Sequence, residues 1–284
     1  MRVLITGSGG MTGAELSRQA RAKGWDVTPF THAELDIADS RAVEDAVARA
    51  QPHVVFNAAA YTAVDAAEDA AEEAMAVNGT GPGNIAVAAR ANDAWVIHIS
   101  TDYVFNGQSS LPYKPDDTVG PLNVYGESKL AGEIAVRDEC VNHVIVRTSW
   151  VYSHEGRNFV RTMLRVASEG RPLKVVDDQR GCPTASADLA SALIRVAERT
   201  QESEARGTYH FCNAGATTWY DFAKEIFRIK GVAPELQAIS TSEFPASARR
   251  PRSSVLDCSS FISTFGVTPR HWQAALKETM EKIS

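Results

Sequence analysis

The feature that most narrows the fold is a glycine turn between a strand and a helix. Val3-Leu4-Ile5 reads as a short β-branched-rich strand, Gly7-Ser8-Gly9-Gly10-Met11-Thr12-Gly13 follows it directly, and Ala14 to Lys23 continues as a helix. Gly7, Gly10 and Gly13 stand three apart. A diphosphate can rest on helix N-terminal amides only where the backbone approaches without Cβ obstruction, and the last glycine lets the helix pack close to its strand. The position between strand and helix, more than the glycines themselves, marks a dinucleotide-binding turn. Gly24 closes the helix at a position where a left-handed cap is cheap.

The same rhythm continues. Trp25-Asp26-Val27, His53 to Asn57, Trp95 to Ser100 and Val144 to Arg147 read as strands; Ser40 to Ala50, Asp65 to Ala76, Gly83 to Asn92 and Asn123 to Glu139 read as helices. Strands alternating with helices predict an α/β fold, a doubly wound parallel sheet of Rossmann type. After about residue 150 the rhythm loosens, and turn-forming stretches such as Asp177 to Pro183 and Pro245 to Pro251 separate shorter helices at Asp188 to Arg199 and Tyr220 to Lys230. We therefore expect residues 1–150 to form the cofactor core and 151–284 mainly a smaller α/β substrate lobe, with some segments returning to the core. A chain of 284 residues suits this, because single cores stop growing at roughly 250–300 residues.

A net charge of -6 argues against a nucleic-acid or anionic-membrane partner. No run of about 18 apolar residues is long enough to span a membrane, and the opening apolar stretch is far shorter than a signal-peptide core. Cys140, Cys182, Cys212 and Cys258 show no metal-ligand spacing and read as free thiols in a reducing compartment, with no metal site expected. The cytoplasm is the expected location.

The end of the second strand, Val27 to His32, has no acid where one commonly binds the adenosine ribose. That allows NADPH and leaves NADH usable. Asp36-Ile37 lies a little later; it either meets the adenine or, in the case of Asp36, caps the helix that starts near Ser40. Tyr125-Gly126-Glu127-Ser128-Lys129 places a phenol and an ammonium at i and i+4 on one helix face. Lys129 is expected to lower the Tyr125 pKa toward the range useful for acid–base chemistry. Ser100, Thr101 and Asp102 end a parallel strand at its carboxyl edge, where ligands bind in open α/β sheets.

The glycine turn, Ser100-Thr101 and Tyr125-x-x-x-Lys129, in that order, resemble the extended short-chain dehydrogenase/reductase superfamily. Asn57 to Asp65, Ser100 to Phe105, Arg147 to Tyr152 and Asp178 to Thr184 narrow the likeness, which resembles the dTDP-4-dehydrorhamnose reductase family and runs at least to Arg249-Arg250-Pro251. The resemblance implies NAD(P)H-dependent reduction of a dTDP-linked 4-keto-6-deoxy-L-hexose. Under it Tyr125 donates the proton, Lys129 holds the nicotinamide ribose, and Thr101 bonds the substrate oxygen. Gly10, Met11 and Thr12 contact the diphosphate, Asp36 and Ile37 the adenine, and Ala58, Ala59, Ala60 and Tyr61 line the cofactor. Asp102, Tyr103 and Trp150 contact the deoxysugar. Two departures stand out: Met11-Thr12 replaces a Gln-Leu or similar pair, and Cys182 replaces a small residue.

Arg249, Arg250 and Arg252 crowd three guanidinium groups into a net-acidic chain, and a nucleotide-sugar diphosphate needs such partners. The acids Asp65, Glu68, Asp69, Glu72 and Glu73 read as a solvated helix face. Some relatives use comparable acids at a metal-bridged dimer contact, so Mg2+ and the choice between monomer and homodimer stay open. A nucleotide-sugar dehydratase or epimerase is the rival enzyme, but Asp102 is followed by Tyr103 and not by the glutamate that elimination needs. A non-catalytic subunit like the regulatory subunit of methionine adenosyltransferase is the rival of another class, opposed by intact Thr101, Tyr125 and Lys129.

Overall fold

A computed structural model describes residues 1–200, 202 and 205–283. Four β-α repeats and a fifth strand build the first half: β1 (Arg2–Thr6), α1 (Met11–Ala22), β2 (Asp26–Phe30), α2 (Ser40–Ala50), β3 (Val54–Asn57), α3 (Val64–Ala67), α4 (Ala71–Met75), a π-helical turn (Ala76–Thr80), α5 (Gly81–Ala91), β4 (Trp95–Thr101), a 3-10 turn (Asp102–Val104), α6 (Val124–Glu139) and β5 (His143–Thr148). The second half contains β6 (Val151–Tyr152), α7 (Phe159–Ser168), β7 (Leu173–Val176), β8 (Arg180–Gly181), β9 (Thr184–Ala185), α8 (Ser186–Thr200), β10 (Gly207–His210), β11 (Thr217–Thr218), α9 (Trp219–Lys230), β12 (Leu236–Ile239), α10 (Ser259–Phe265) and α11 (Trp272–Glu281).

Six strands form one sheet in the order β10-β5-β4-β3-β1-β2, every pair parallel. The order reverses at β1, and such a switch point opens a crevice at the carboxyl ends of the strands. Strand side chains alternate between faces, which splits the core. Val3, Ile5, Phe56 and Val146 pack with Leu16 of α1, Leu193 of α8 and Phe261 of α10. Leu4, Val55, Val96 and Ile145 pack on the other face with Val47, Ile85 and Val136. β10 and α8 therefore return from the second half to complete the sheet and cover α1. A separate cluster around Tyr152, Val160, Phe222, Ile226, Trp272 and Leu276 builds the C-terminal lobe.

Three local expectations differ from the structure. Helix α1 starts at Met11, with Gly10 as its N-cap, so Gly13 lies inside the helix. The single acidic helix predicted from Asp65 to Ala76 is broken into α3 and α4, and the π-helical turn carries the chain without a gap into α5. The break falls where Glu68 turns aside: its Oε1 accepts the Val124 backbone N–H at 2.9 Å, at the start of α6. The cysteines, distant in sequence, also converge in part. Cys182 and Cys212 share one apolar cluster and the Cys258 sulfur lies 3.7 Å from that of Cys212, all as free thiols.

Candidate active site

The glycine turn is as tight as the sequence spacing implies. Gly7 adopts φ 66°, and a Cβ there would lie 2.6 Å from the Ala58 backbone. A Cβ on Gly13 would lie 2.1 Å from the Gly7 carbonyl oxygen. Both contacts are impossible for any side chain, so strand, turn and helix close together only with glycine at these places. The N-terminal amides of α1 are left facing a cavity of about 550 Å³.

That cavity collects residues from every strand end near the switch point. Gly10, Met11 and Thr12 line it from α1, Ala58, Ala59 and Ala60 from the end of β3, Thr101 and Asp102 from β4, Tyr125 and Lys129 from α6, and Trp150 from the end of β5. A larger hollow of about 720 Å³ lies between α9 and β12, away from the glycine turn and the strand ends. Other expected site residues are placed elsewhere. Gly7 and Gly13 shape the turn and are not among the lining residues. Tyr61 is not among the lining residues; its backbone amide and carbonyl are bonded to the Asn78 side chain, and Thr62 lines the cavity. Ile37 is buried against Gly81 in the core, and Asp36 bonds the Ala38 amide at 2.9 Å. The cap of α2 is Asp39, which accepts from Arg41 and Ala42, so the capping reading of Asp36 is corrected.

Helix α6 is held at its start by three contacts. Asn123 caps it by accepting from Gly126 N–H at 2.8 Å and donates to the Arg249 carbonyl at 2.7 Å, while Glu68 takes the Val124 amide. A Cβ on Gly126 would sit 2.3 Å from the Tyr103 carbonyl oxygen. The glycine after Tyr125 thus lets α6 lie directly against the 3-10 turn, bringing the Tyr103 and Tyr125 rings edge to face at 5.7 Å.

Thr101 Oγ1 donates to Asp102 Oδ1 at 3.0 Å and accepts the Tyr103 amide at 3.2 Å. Asp102 is buried and its Oδ2 has no partner among the described residues. Burial pushes this carboxyl up to about 7, against opposing interactions with Ser254 and Thr101. Burial also pushes the Tyr125 phenol up to about 12, opposed by Thr101 and reinforced by the Asp102 charge. The expected lowering by Lys129 is not what the structure delivers. The lysine amine turns under β4, donates to the Ile99 carbonyl at 2.7 Å and lies 3.4 Å from His98 Nε2. Burial lowers Lys129 to about 8, with Glu133 pulling the other way. Desolvation acts on both groups and favours each neutral form.

Ser100, expected to offer a hydroxyl to a ligand, instead donates it to Glu133 at 2.6 Å. Glu133 receives both Arg147 Nε and Nη2 at 2.8 Å, in a forked pair with almost no exposure. Burial raises this carboxyl, but the Arg147 bonds and charge win and hold it below the usual carboxylate range. Removing one partner of such a buried pair costs about 3–5 kcal/mol.

The basic triplet and the acidic helix also meet. Arg250 grips Asp65, with Nη2 to Oδ2 at 2.7 Å, and the Ala248 amide bonds the same carboxylate at 3.1 Å. The Arg250 hydrogen bond holds Asp65 below the usual carboxylate range. Asp65 and Glu68 are therefore paired and only partly exposed, whereas Asp69, Glu72 and Glu73 keep the solvated face that the sequence implied. Arg249 and Arg252 are exposed, and none of the three arginines lines the cavity. Among the described residues no group of three or more His, Cys, Asp or Glu side chains is placed to hold a metal ion, so Mg2+ finds no support.

The sequence places Trp150 at the site, but the backbone geometry that presents it, and the lining residues Gly156, Arg157 and Asn158, escape sequence reasoning. Trp150 adopts φ 48° and stacks on Trp219 with ring centroids 3.6 Å apart, while a Cβ on Gly181 would lie 2.4 Å from the Trp150 ring. A left-handed non-glycine residue costs roughly 1–2 kcal/mol. The stack and Gly181 pay for holding the indole at the cavity wall. Gly156, Arg157 and Asn158 come from a loop held by three Asn158 Nδ2 bonds and folded over Met11. The only usable signal was Asn158 before Phe159 as a helix cap.

The end of β2 carries a further correction. Glu34 folds back so that its Oε2 accepts both the Thr31 amide and hydroxyl at 2.8 Å, beside Gly9. Those two bonds hold the carboxyl below its usual range. A carboxylate thus stands at the strand end that the sequence shows without one.

The RmlD substrate binding domain family model matches residues 1–284. A dTDP-4-dehydrorhamnose reductase of Streptomyces griseus is 45% identical over 286 residues, 99% of this chain and 94% of the relative. The spore coat polysaccharide biosynthesis protein SpsK of Bacillus subtilis (strain 168) is 41% identical over 283 residues, 100% of this chain and 98% of the relative. The crystal structure of dTDP-4-dehydrorhamnose reductase from Bacillus anthracis str. Ames in complex with NADP matches with a TM-score of 0.95 and 36% identity, covering 99% of each chain.

Proposed function

The chain belongs to the RmlD substrate binding domain family, whose relatives are dTDP-4-dehydrorhamnose reductases, and on that premise we propose that it is a nicotinamide-dependent oxidoreductase that reduces the 4-keto group of dTDP-4-dehydrorhamnose to dTDP-L-rhamnose, a step in nucleotide-sugar and polysaccharide biosynthesis. The observation that carries the reading is the meeting of Thr101, Tyr125 and Lys129 with the open amides of α1 on one cavity.

The residues present suit a dinucleotide. Glycines at 7 and 13 leave a cradle that any Cβ would fill, and the amides at Gly10, Met11 and Thr12 favour an anion at the helix N-terminus. Ala58, Ala59 and Ala60 form a smooth wall along it. When bound, the reduced nicotinamide supplies the hydride. Tyr125 gives its proton to the oxygen that the carbonyl becomes, and its raised pKa keeps it protonated near neutral pH until that oxygen gains charge. Thr101, whose hydroxyl otherwise donates to Asp102, turns it to that oxygen as charge develops there. Lys129, one turn along α6 from Tyr125, holds the nicotinamide ribose. Asp102, Tyr103 and the Trp150 indole orient the deoxysugar. Arg249 and Arg252 are free to meet the nucleotide diphosphate, whereas Arg250 serves chiefly to hold Asp65.

NADPH is the proposed donor, supported by the Bacillus anthracis relative solved with NADP. Glu34 leaves NADH usable as well. The test supplies dTDP-4-keto-L-rhamnose with NADPH and follows nicotinamide absorbance. Wild type should turn over, and Tyr125→Phe should lose at least about 100-fold in kcat while still binding NADPH. No turnover by wild type, or an undiminished mutant, refutes the reading.

A further inference from the structure

We infer that His98 is a positioning residue for Lys129: its ring is held with the proton on Nε2, facing the lysine amine, so that the neutral amine is favoured. One buried chain of polar groups, Thr6, Asn57, His98 and Lys129, links the ends of β1 and β3 and the middle of β4 to α6.

The Ala59 backbone amide can only donate, and it donates to Asn57 Oδ1 at 3.2 Å. Thr6 Oγ1 donates to the same oxygen at 2.8 Å. Asn57 therefore turns its oxygen toward β1 and the Ala59 turn, and its Nδ2 is the atom that lies 3.0 Å from His98 Nδ1. An amide nitrogen has no lone pair to offer. Nδ1 must accept, and it carries no proton.

His98 and Asn57 are both wholly buried. Burial, with the neighbouring Lys129 charge, drives the His98 pKa well below its ordinary value, so the imidazole is neutral. A neutral imidazole has one N–H, and here only Nε2 is left to bear it. That N–H points at Lys129 Nζ across 3.4 Å. An ammonium has three donors and no acceptor, so the charged lysine meets the ring donor to donor. The neutral amine has a lone pair and accepts the N–H. Lys129 meanwhile gives one proton to the Ile99 carbonyl and is 2% exposed, so water does not relieve the clash.

The other groups around the amine are accounted for. Glu133, one turn along α6, favours the charged lysine but is itself gripped by Arg147 of β5 and touched by Arg137. Asp102 and Tyr103 on the 3-10 turn and Tyr125 on α6 belong to the same site, and Asn78 of the π-helical turn is uncharged and bonded to Ser128. Of the neighbours, His98 is the one that sets a donor against the ammonium. Lys129 so held is a weaker cation than a solvated lysine, ready to lose its charge just above neutral pH.

The consequence for turnover rests on the reductase reading, but the test does not. The apo protein is labelled with 15N in its histidines and 13C at the lysine ε-carbon, the signals being assigned by loss in His98→Asn and Lys129→Met. The wild-type His98 ring is expected with a bare Nδ1 and a protonated Nε2. In His98→Asn, the side-chain oxygen replaces Nδ1 toward Asn57 and removes the N–H facing the amine. The Lys129 acid dissociation constant should then fall about tenfold, a rise of about one pKa unit. His98→Gln, which sets a carbonyl toward the amine, should move it the same way. A proton found on Nδ1 overturns the inference, as does an unmoved Lys129 in either folded variant. The wild-type tautomer decides alone should neither variant fold. If the enzyme reduces the keto-sugar, the alkaline limb of kcat should follow Lys129 upward in both variants, a displacement that a merely structural histidine would not produce.

Discussion

Asp102→Asn is expected to make the protein less sensitive to rising pH, and the size of the effect follows from one buried carboxyl. Asp102 is 2% exposed, its Oδ2 lacks a partner among the described residues, and burial lifts its pKa from 3.8 to about 7. The folded state therefore binds a proton that the unfolded chain releases between those two values. Stability falls as pH rises through that window, because ionising the buried group penalises only the folded protein. At 1.36 kcal/mol per pKa unit, the whole displacement corresponds to about 4 kcal/mol as an upper bound, of which about 3 kcal/mol is lost between about pH 5 and pH 8. Asparagine keeps the shape of the protonated acid and never ionises. Urea unfolding of wild type and Asp102→Asn at both pH values gives the comparison, since the other titrating groups are common to the two proteins. The difference in stability between variant and wild type should grow by about 2–3 kcal/mol on going to the higher pH. Parallel pH dependence in the two proteins would mean that the carboxyl ionises freely in the folded state, and the account of the site as a dry pocket would fail.

Two further outcomes test features beside the cavity. Glu34→Gln removes the carboxylate pinned to Thr31 and should raise the ratio of NADPH to NADH use, most visibly at low salt where the exposed charge is least screened; an unchanged ratio would place Glu34 away from the adenosine ribose. Gly181→Ala drives a methyl into the Trp150 ring, 2.4 Å away. It should cost about 1–3 kcal/mol in stability and raise KM for the nucleotide sugar while leaving NADPH affinity intact, and a variant with wild-type KM would detach Trp150 from sugar binding.

Local chemistry made the fold and the centre of the site legible. The glycine turn, the strand-helix alternation and the i, i+4 pairing of Tyr125 with Lys129 are written within a few residues of each other, and steric limits on φ and helical periodicity act at that range. That is why the sheet, the α1 amides and the convergence of Thr101, Tyr125 and Lys129 could be anticipated. The tertiary structure decided what those groups experience. Burial outweighed the cation expected to acidify Tyr125, because the Lys129 amine runs under β4 to Ile99 and His98. Ser100 was claimed by Glu133, 33 residues away, and Arg250 by Asp65, 185 residues away. Such partners are chosen by the requirement that buried polar groups find hydrogen bonds and buried charges find counter-charges. That requirement exists only once distant segments have removed the water, and so no spacing along the chain could express it.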